Sequence, residues 1–373
     1  MLPVAAGARG RWHNLFMRIR ATLPLVLAIL AAALARAAAT NTVDDVVRLV
    51  REAVQQRQSD GDLARALRRL SLKARLDNRT AEELESLAPG PKSIAELERL
   101  REVTREMPLP AVLPPFDSKP APTPDELRDV IEAARVKALS YTRDLPDFIC
   151  AETVRRYESA TGKGNWALSD TLTLQLTYFG HMENYKLTAI DGRKTELTYE
   201  AVGGVMSKGE FGSMLLEVFL PDSQTAFRWS NWTTLRKRPA YAISFRIEAR
   251  NSRYYLMVGE YGKGSVSTVA GEHGLAYIDR ETKEVLRLDC EADSLPDSFP
   301  VAGASRVLDY GATEVGGLSF VLPLRADVRM IPRDNHPLSR NVVEFTGYRK
   351  FTGESAISFG DPVDEKPAAP AKK

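Results

Sequence analysis

The chain has 373 residues, with 51 lysines and arginines against 49 aspartates and glutamates, so its formal net charge at pH 7 is +2. Residues 1–39 hold five of the arginines and no acidic residue, which leaves 46 basic against 49 acidic residues, or −3, in the rest of the chain. A nearly neutral protein has no global field that attracts nucleic acid or anionic lipid, so the composition argues against a general binder of either.

Residues 1–39 have the three parts of a secretory signal. Arginines at positions 9, 11, 18 and 20 precede an apolar run at residues 21–35, and small residues follow in the pattern Ala35-Arg36-Ala37. The alternative is a membrane anchor, but the run is shorter than the roughly 20 apolar residues of a spanning helix, and Pro24 interrupts it. We therefore expect an exported protein, periplasmic or extracellular, with no transmembrane segment after signal cleavage.

Residues 40–106 are predicted to form a domain of three or four short helices. Five valines between positions 43 and 54 recur at helical spacing: Val43, Val46, Val47, Val50 and Val54. Thr80 and Ser93 each precede a glutamate by three positions, as in a capping box. The turn that contains Lys92 is similar to helix-hairpin-helix modules that hold a nucleic-acid backbone. Export and balanced charge favour an ordinary helical hairpin instead, so no nucleic-acid partner is expected.

Residues 107–124 are predicted to be an extended, semi-rigid linker. They contain seven prolines, which are incompatible with a helix interior or a central strand. The linker ends in a helix start signal, with Thr123 as the cap, Pro124 at the first helical position and Glu126 at the third. A helix is expected from there to about Arg143.

From residue 148 to residue 359 apolar side chains recur at every second position, which predicts antiparallel strands with one buried face. We expect roughly nine to eleven strands joined by hairpins. A domain of one helix plus this sheet is placed at residues 125–360, and a polar, proline-rich, disordered tail at residues 361–373.

Two segments within the sheet domain have a more specific pattern. In the hairpin GLAYIDRETKEVLRLDCEAD, Leu286, Leu288 and Cys290 are predicted to line one face of the second strand. The segment GEFGSMLLEVFL departs from the period of two and is predicted to form a short helix that crosses the sheet. Its apolar residues at helical spacing are Met214, Leu215, Val218 and Phe219.

The chain has two cysteines, Cys150 and Cys290, and both lie in strand-like runs that point them toward a core. Export makes a disulfide between them chemically possible. The alternative is a pair of buried free thiols that behave as small apolar residues. Spacing alone does not fix pairing, so both alternatives stay open.

Catalytic and metal-binding patterns are missing from the sequence. After export three histidines remain, His181, His273 and His336, in separate turn-like segments without the close ligand pair typical of a zinc site. No G-x-S-x-G or S-x-x-K motif supplies a serine nucleophile. We therefore expect no catalytic, cofactor-binding or metal site, and a protein that is not an enzyme.

Four segments resemble a family of uncharacterised secreted bacterial proteins: LSYTRDLPDFICAETVRRY, SKGEFGSMLLEVF, GLAYIDRETKEVLRL and LSFVLPLRADVRM. This match covers most of the chain and implies no known activity. The order of strands, one crossing helix and a Y-I-D-x-x-T-x-x-V-x-R hairpin is more distantly similar to periplasmic lipoprotein carriers and lipoprotein-sorting proteins. That resemblance implies an open, strongly curved antiparallel sheet with helices in its apolar concavity, and it transfers no functional residue.

The expected fold is therefore α+β, with a small helical bundle, a proline-rich linker and a large half-barrel sheet that carries one or two packed helices. We expect an exported, non-catalytic binding protein that carries or senses an apolar or lipid-like ligand in the concavity. Gly203, Gly204, Gly209 and Gly212 would let the crossing helix act as a flap, with fixed core packing as the alternative. The alternative function is an envelope protein–protein interaction or scaffold module without a small-molecule ligand, whose linker holds two binding surfaces apart.

Overall fold

The computed structural model describes residues 41–114, 116, 119–161, 165–180, 182–203, 213–258, 266–293, 295–334 and 336–351. The chain divides into two compact units. The first contains residues 41–77 and Leu87–Pro114, and the second contains Asn78–Ser86 and the chain from residue 115 onward. The predicted signal at residues 1–39 and the predicted tail at residues 361–373 lie outside the described residues.

The first unit is helical, as the spacing of its valines predicted. Its helices are α1 (Val43–Gln55), α2 (Asp60–Arg68) and α4 (Pro91–Val103). Between α2 and α4 the chain forms α3 (Asn78–Leu87), whose residues up to Ser86 belong to the second unit. The valine stripe of α1 is buried from Val43 to Val50, whereas Val54 is 40% exposed, so the prediction is wrong for this last valine.

The two predicted capping boxes in this region are wrong, because both residues lie inside helices. Thr80 is buried within α3, and Ser93 follows Pro91, the first residue of α4. The cap of α4 comes instead from Asp60 at the start of α2. The carboxylate of Asp60 accepts the backbone N–H groups of Lys92 and Ser93 at 2.9 and 2.8 Å. A carboxylate of this chain thus occupies the position where a helix-hairpin-helix module binds phosphate.

The second unit contains one antiparallel sheet of twelve strands within the described residues. The strands are β1 (Phe148–Ser159), β2 (Ala167–Phe179), β3 (Met182–Ile190), β4 (Arg193–Lys194), β5 (Ala226–Leu235), β6 (Arg238–Ile247), β7 (Tyr254–Val258), β8 (Val266–Asp279), β9 (Val285–Asp293), β10 (Val301–Val315), β11 (Leu318–Pro332) and β12 (Leu338–Lys350). Their order is β4-β3-β2-β1-β12-β11-β10-β9-β8-β6-β5, with β7 paired to β8. The order does not return to β4, so the sheet is open, and the predicted α+β fold is confirmed.

Two helices pack on one face of this sheet and form its main core. They are α5 (Pro124–Asp144) and α6 (Ser213–Phe219), which also contact each other. The start of α5 is the predicted capping box: the Thr123 hydroxyl accepts the backbone N–H of Glu126, and the Glu126 carboxylate accepts the backbone N–H of Thr123 at 2.7 Å. The helix buries Val130, Ala134 and Ala138 against the strands.

A second apolar cluster lies on the opposite face of the sheet. It consists of Leu235, Ala240, Ala242, Tyr277 and Leu286. Tyr277 belongs to this cluster and its neighbour Ile278 to the main core, as expected for alternating side chains of a strand. The prediction that Leu286 shares a face with Leu288 and Cys290 is wrong. A β-bulge makes Leu286 the extra residue between two paired positions, so its side chain joins the second cluster.

Candidate functional site

Helix α6 places its apolar side chains in the main core of the second unit. Met214, Leu215, Val218 and Phe219 are each at most 4% exposed and contact the buried residues of the strands. Positions i, i+1, i+4 and i+5 lie on one side of a helix, so the spacing MLLEVF produces a single apolar face. The crossing helix predicted from this spacing is therefore present, packed against the sheet.

The C-terminal end of α6 is attached to its surroundings through its carbonyl groups. The Val218 carbonyl accepts the hydroxyl of Thr225 at 2.7 Å, and the Phe219 carbonyl accepts the Nε–H of Arg135 on α5 at 3.2 Å. The ring of Phe219 stacks on Phe227 of β5, with 5.6 Å between the ring centroids. These bonds satisfy carbonyls that have no partner within a seven-residue helix.

Glu217 is the one charged residue of α6, and it is 4% exposed. One carboxylate oxygen accepts the hydroxyl of Ser252 at 3.1 Å and the backbone N–H of Arg253. The other lies 3.4 Å from Nη2 of Arg306 on β10. We call these contacts of Glu217 with Ser252, Arg253 and Arg306 the latch, because they bind a charged side chain of the helix to residues outside it.

Arg306 also binds a second buried carboxylate. Its Nη2 donates to Glu272 of β8 at 2.9 Å, and its guanidinium lies 4.0 Å from the ring centroid of Tyr254. Glu272 is fully buried, and burial raises its pKa, an effect that Arg306 opposes and Glu217 reinforces. Strand β9 lies between β8 and β10, so Glu272 and Arg306 flank Cys290. Two carboxylates thus share one guanidinium beside a buried thiol.

The raised pKa of Glu272 gives a prediction about stability and pH. The folded protein retains a proton on Glu272 at pH values where the unfolded chain, with a pKa near 4.5, has lost it. The stabilising contribution is therefore complete below about pH 4.5 and is lost as the pH rises through the folded pKa. The unfolding free energy of the unmodified protein should therefore fall as the pH rises above about 4.5, and we expect Glu272→Gln to reduce that fall, measured by urea unfolding. Equal slopes for the two proteins would contradict this assignment.

Both cysteines are buried free thiols in the structure, the second of the two alternatives left open by the sequence. Burial raises the pKa of the Cys290 thiol, and the Glu272 carboxylate raises it further. Burial likewise raises the pKa of Cys150 on β1, which lies beside Tyr348 and Glu152. A thiol with a raised pKa is a poor nucleophile, so neither cysteine has the environment of a reactive residue.

Within the described residues, His273 and His336 lie in separate segments of the second unit. His273 lies within β8, not in a turn as predicted, because its pairing with Glu291 continues the strand. Its ring nitrogens are 3.9 Å from Glu291 and 3.8 Å from Asp293, while His336 lies 3.3 Å from Asp334. His181 lies outside the described residues. In the part of the chain that the structure describes, no three histidine, cysteine, aspartate or glutamate side chains are grouped to hold a metal ion.

A second buried ionic cluster lies where α3 meets the sheet. Arg287 of β9 donates to both carboxylate oxygens of Asp309 at 2.8 and 3.1 Å and to Glu82 of α3 at 3.1 Å. Arg236 donates to Asp309 at 2.6 Å, and the Thr233 hydroxyl donates to Glu82 at 3.3 Å. Burial alone would raise the pKa of Asp309, but the two arginines outweigh it and hold that pKa below its usual value. The cluster therefore fixes α3 to the sheet.

Sequence reasoning missed both ionic clusters. The visible signals were charged residues inside apolar patterns: Glu217 within MLLEVF, and Arg306 next to Val307 and Leu308. A charge in such a position is buried only if a partner is present, and the partners come from distant strands.

No protein-family model and no curated protein sequence matches the chain. Solved structures similar to it include a DUF1329 family protein from Desulfovibrio piger, with 10% identity, a TM-score of 0.31 and coverage of 61% of this chain and 94% of that one. A putative outer membrane lipoprotein-sorting protein domain from Vibrio parahaemolyticus has 10% identity, a TM-score of 0.27 and coverage of 61% and 94%. A LolA superfamily protein from Nitrosomonas europaea has 9% identity, a TM-score of 0.25 and coverage of 60% and 93%.

The Vibrio parahaemolyticus domain is of the putative lipoprotein-sorting class, to which the order of strands and crossing helix in this sequence is distantly similar. The low TM-scores of these neighbours identify neither a ligand nor a partner for this chain, so both must be inferred from its own side chains. Among the described residues, no helix combines the length and the apolar character needed to cross a bilayer.

Proposed function

We propose that this chain is an exported, non-catalytic protein that binds an apolar or lipid-like ligand against the helix-covered face of its sheet. In this proposal α6 is the element that moves to admit the ligand. The observation that carries the proposal concerns α6. This helix places four apolar side chains in the core, yet it is only seven residues long.

A helix of this length has little stability of its own. Isolated helices below about 12 residues are marginal in water, so α6 depends on its packing and on the latch. Helix α5 covers the same face with 21 residues and a capping box. Local opening begins in the elements that have the least independent stability, which makes α6 the first candidate to leave the sheet.

Opening of α6 would uncover apolar side chains of the main core, including Phe227, on whose ring Phe219 stacks. An acyl chain could replace the contacts that Met214 and Phe219 make in the closed state, because both ligand and side chains are apolar. Gly203 has φ +70° and ψ −173°, a conformation that glycine adopts without the steric cost of a side chain. It is the last described residue before α6. The other glycines of the predicted flap, Gly204, Gly209 and Gly212, lie outside the described residues.

The test uses cis-parinaric acid, a fatty acid that fluoresces in an apolar environment, titrated into the purified protein. We expect a saturable rise in fluorescence that palmitate reverses. We expect Glu217→Gln to bind about fivefold more tightly, because weakening the latch raises the population of the open state. Palmitate should also raise the melting temperature, because it binds the folded protein and not the unfolded chain.

Glu344→Gln is the matched control, since Glu344 forms an exposed ion pair with Arg155 on strands β12 and β1. Its affinity for the fatty acid should equal that of the unmodified protein. Absence of saturable binding in both the unmodified protein and Glu217→Gln, with no thermal shift, would support the scaffold alternative, in which α6 is fixed core packing.

A further inference from the structure

Three aromatic rings cluster at the β5 end of the sheet. The ring centroids of Trp229 and Trp232 are 4.8 Å apart, and that of Tyr241 lies 5.0 Å from Trp232 and 6.5 Å from Trp229. We call these three side chains the aromatic cluster. Residues three apart in a regular strand face opposite sides. A β-bulge between Trp229 and Asn231 adds one residue, so both indoles come to the same face as Tyr241.

Two cations from the turn between β8 and β9 line the aromatic cluster. The guanidinium carbon of Arg280 lies 4.6 Å from the ring centroid of Trp232, and Nζ of Lys283 lies 5.5 Å from that of Tyr241. Both distances are within the range of a cation–π interaction, which holds the rings and the cations in place relative to each other. The result is a preformed aromatic surface on the last strand of the sheet.

The proline-rich linker already contacts this surface. The indole Nε1–H of Trp232 donates to the backbone carbonyl of Pro120 at 3.0 Å. Residues 119–124 read Lys-Pro-Ala-Pro-Thr-Pro, so every residue is either a proline or precedes one. Prolines fix φ near −65°, and the helical conformation is disfavoured for a residue before proline, which together favour a polyproline II helix. Thr123 has the expected dihedral angles, φ −62° and ψ 159°.

We propose that the aromatic cluster is a polyproline-binding surface, contacted in this structure by the linker at Pro120 and able to take a proline-rich segment of a partner protein in place of the linker. A polyproline II segment exposes its carbonyls without internal hydrogen bonds and loses little entropy on binding. Aromatic grooves recognise such segments by packing rings against the prolines. In this chain the Trp232 N–H supplies a hydrogen-bond donor as well.

The position of the linker makes it a competitor of the partner. A segment tethered next to its site acts at an effective concentration of the order of millimolar, so a free peptide must exceed that concentration or bind more tightly. Substitutions that weaken the tethered segment should therefore strengthen binding of a free one. This dependence distinguishes a shared binding surface from a contact that only orders the linker.

The probe is a synthetic peptide with the sequence of residues 107–124, titrated into the full chain and into the double variant Pro120→Ala/Pro122→Ala. Affinity is measured by fluorescence anisotropy of the labelled peptide, and the indole N–H signal of Trp232 is followed by NMR. We expect the double variant to bind the peptide at least about tenfold more tightly than the unmodified chain, with a shift of the Trp232 signal.

Two controls test whether peptide binding depends on the indole N–H of Trp232. Trp232→Phe in the double variant keeps an aromatic ring and removes the N–H donor, and it should weaken peptide binding by about tenfold. Trp166→Phe, which alters an indole next to Arg329 and Arg340, should leave the affinity unchanged. Melting curves confirm that each variant folds.

The proposal is overturned if the double variant does not bind the peptide, or if it binds no more tightly than the unmodified chain. It is equally overturned if Trp232→Phe binds as well as its parent, or if a peptide with alanine at every proline position binds as well as the probe. None of these outcomes depends on fatty-acid binding, so failure of this proposal and failure of the proposed function are separate results.

Discussion

Replacement of Arg287 by methionine is expected to lower the free energy of unfolding by about 3–5 kcal/mol. Arg287 is largely buried and donates to two carboxylates that come from different elements, Glu82 of α3 and Asp309 of β10. Removing one member of a buried ionic group leaves the other charges in an environment of low polarity, which costs far more than an exposed ion pair contributes. Urea unfolding at neutral pH gives the measurement.

The geometry indicates which carboxylate is affected more. Asp309 keeps its bond to Arg236 at 2.6 Å after the substitution, whereas Glu82 loses the bond that Arg287 donates to it and keeps the bond from the Thr233 hydroxyl. The double variant Arg287→Met/Glu82→Gln should therefore recover part of the lost stability, because it removes the remaining buried charge on α3. A double variant that is less stable than Arg287→Met would contradict this account.

Arg155→Met is the matched control. Arg155 forms its ion pair with Glu344 at 3.0 Å, and the two side chains are 37% and 44% exposed. Exposed pairs contribute about 0–1 kcal/mol, so this variant should remain close to the unmodified protein. If Arg287→Met were as stable as Arg155→Met, the cluster beneath α3 would have to be solvated rather than buried.

Local sequence signals predicted the elements that depend on local chemistry. Leu172, Leu174 and Leu176 alternate with threonine and glutamine, and all three are buried on one face of β2. The Thr123–Pro124–Glu126 signal starts α5 at the expected residue. In both cases the pattern and its structural effect lie within one strand or one helical turn, so no knowledge of distant residues is needed.

Predictions were wrong where the direction of a side chain or the cap of a helix depends on a strand or helix that is distant in the chain. Leu286 follows the same alternation as Leu288 and Cys290, yet a bulge against β8 turns it to the opposite face. Ser93 has the sequence of a capping residue, but Asp60 from another helix supplies the acceptor. A bulge or a cap of this kind depends on a strand or helix many positions away, and one sequence does not contain that pairing.

The candidate site was predictable only in part. The apolar face of α6 followed from its spacing, whereas the latch joins α6 to residues far away in the chain. The bond between Arg306 and Glu272 further requires the pairings that place β8 beside β9 and β9 beside β10. Glu217, Glu272 and Arg306 are 34 to 89 positions apart in the chain, and no local pattern connects them. What the sequence did contain was a glutamate in an apolar helix, which is a sign of a buried partner elsewhere.

Substitution of Gly274 by alanine is expected to lower the free energy of unfolding by about 3 kcal/mol or more. Gly274 lies in β8 opposite Cys290, and a Cβ added there would overlap the backbone carbonyl oxygen of Asp289 in β9. The overlapping atoms belong to backbone, so a rotamer change cannot relieve the overlap. The two strands would have to separate in the region that carries Glu272 and Cys290, and the main core would open with them.

Gly303→Ala provides the matched control, because Gly303 lies in β10 and an added Cβ there meets only the side chain of Ile331, at 3.5 Å. That distance is an ordinary van der Waals contact, and alanine reduces the conformational entropy of the unfolded chain. The control should therefore be neutral or stabilising by up to about 1 kcal/mol. Urea unfolding compares the two variants, and amide hydrogen exchange locates the loss, which we expect in β8 and β9. Equal stability of the two variants would mean that β8 and β9 do not approach each other at Gly274, and the pairing that brings Glu272 and Arg306 to either side of Cys290 would then be wrong.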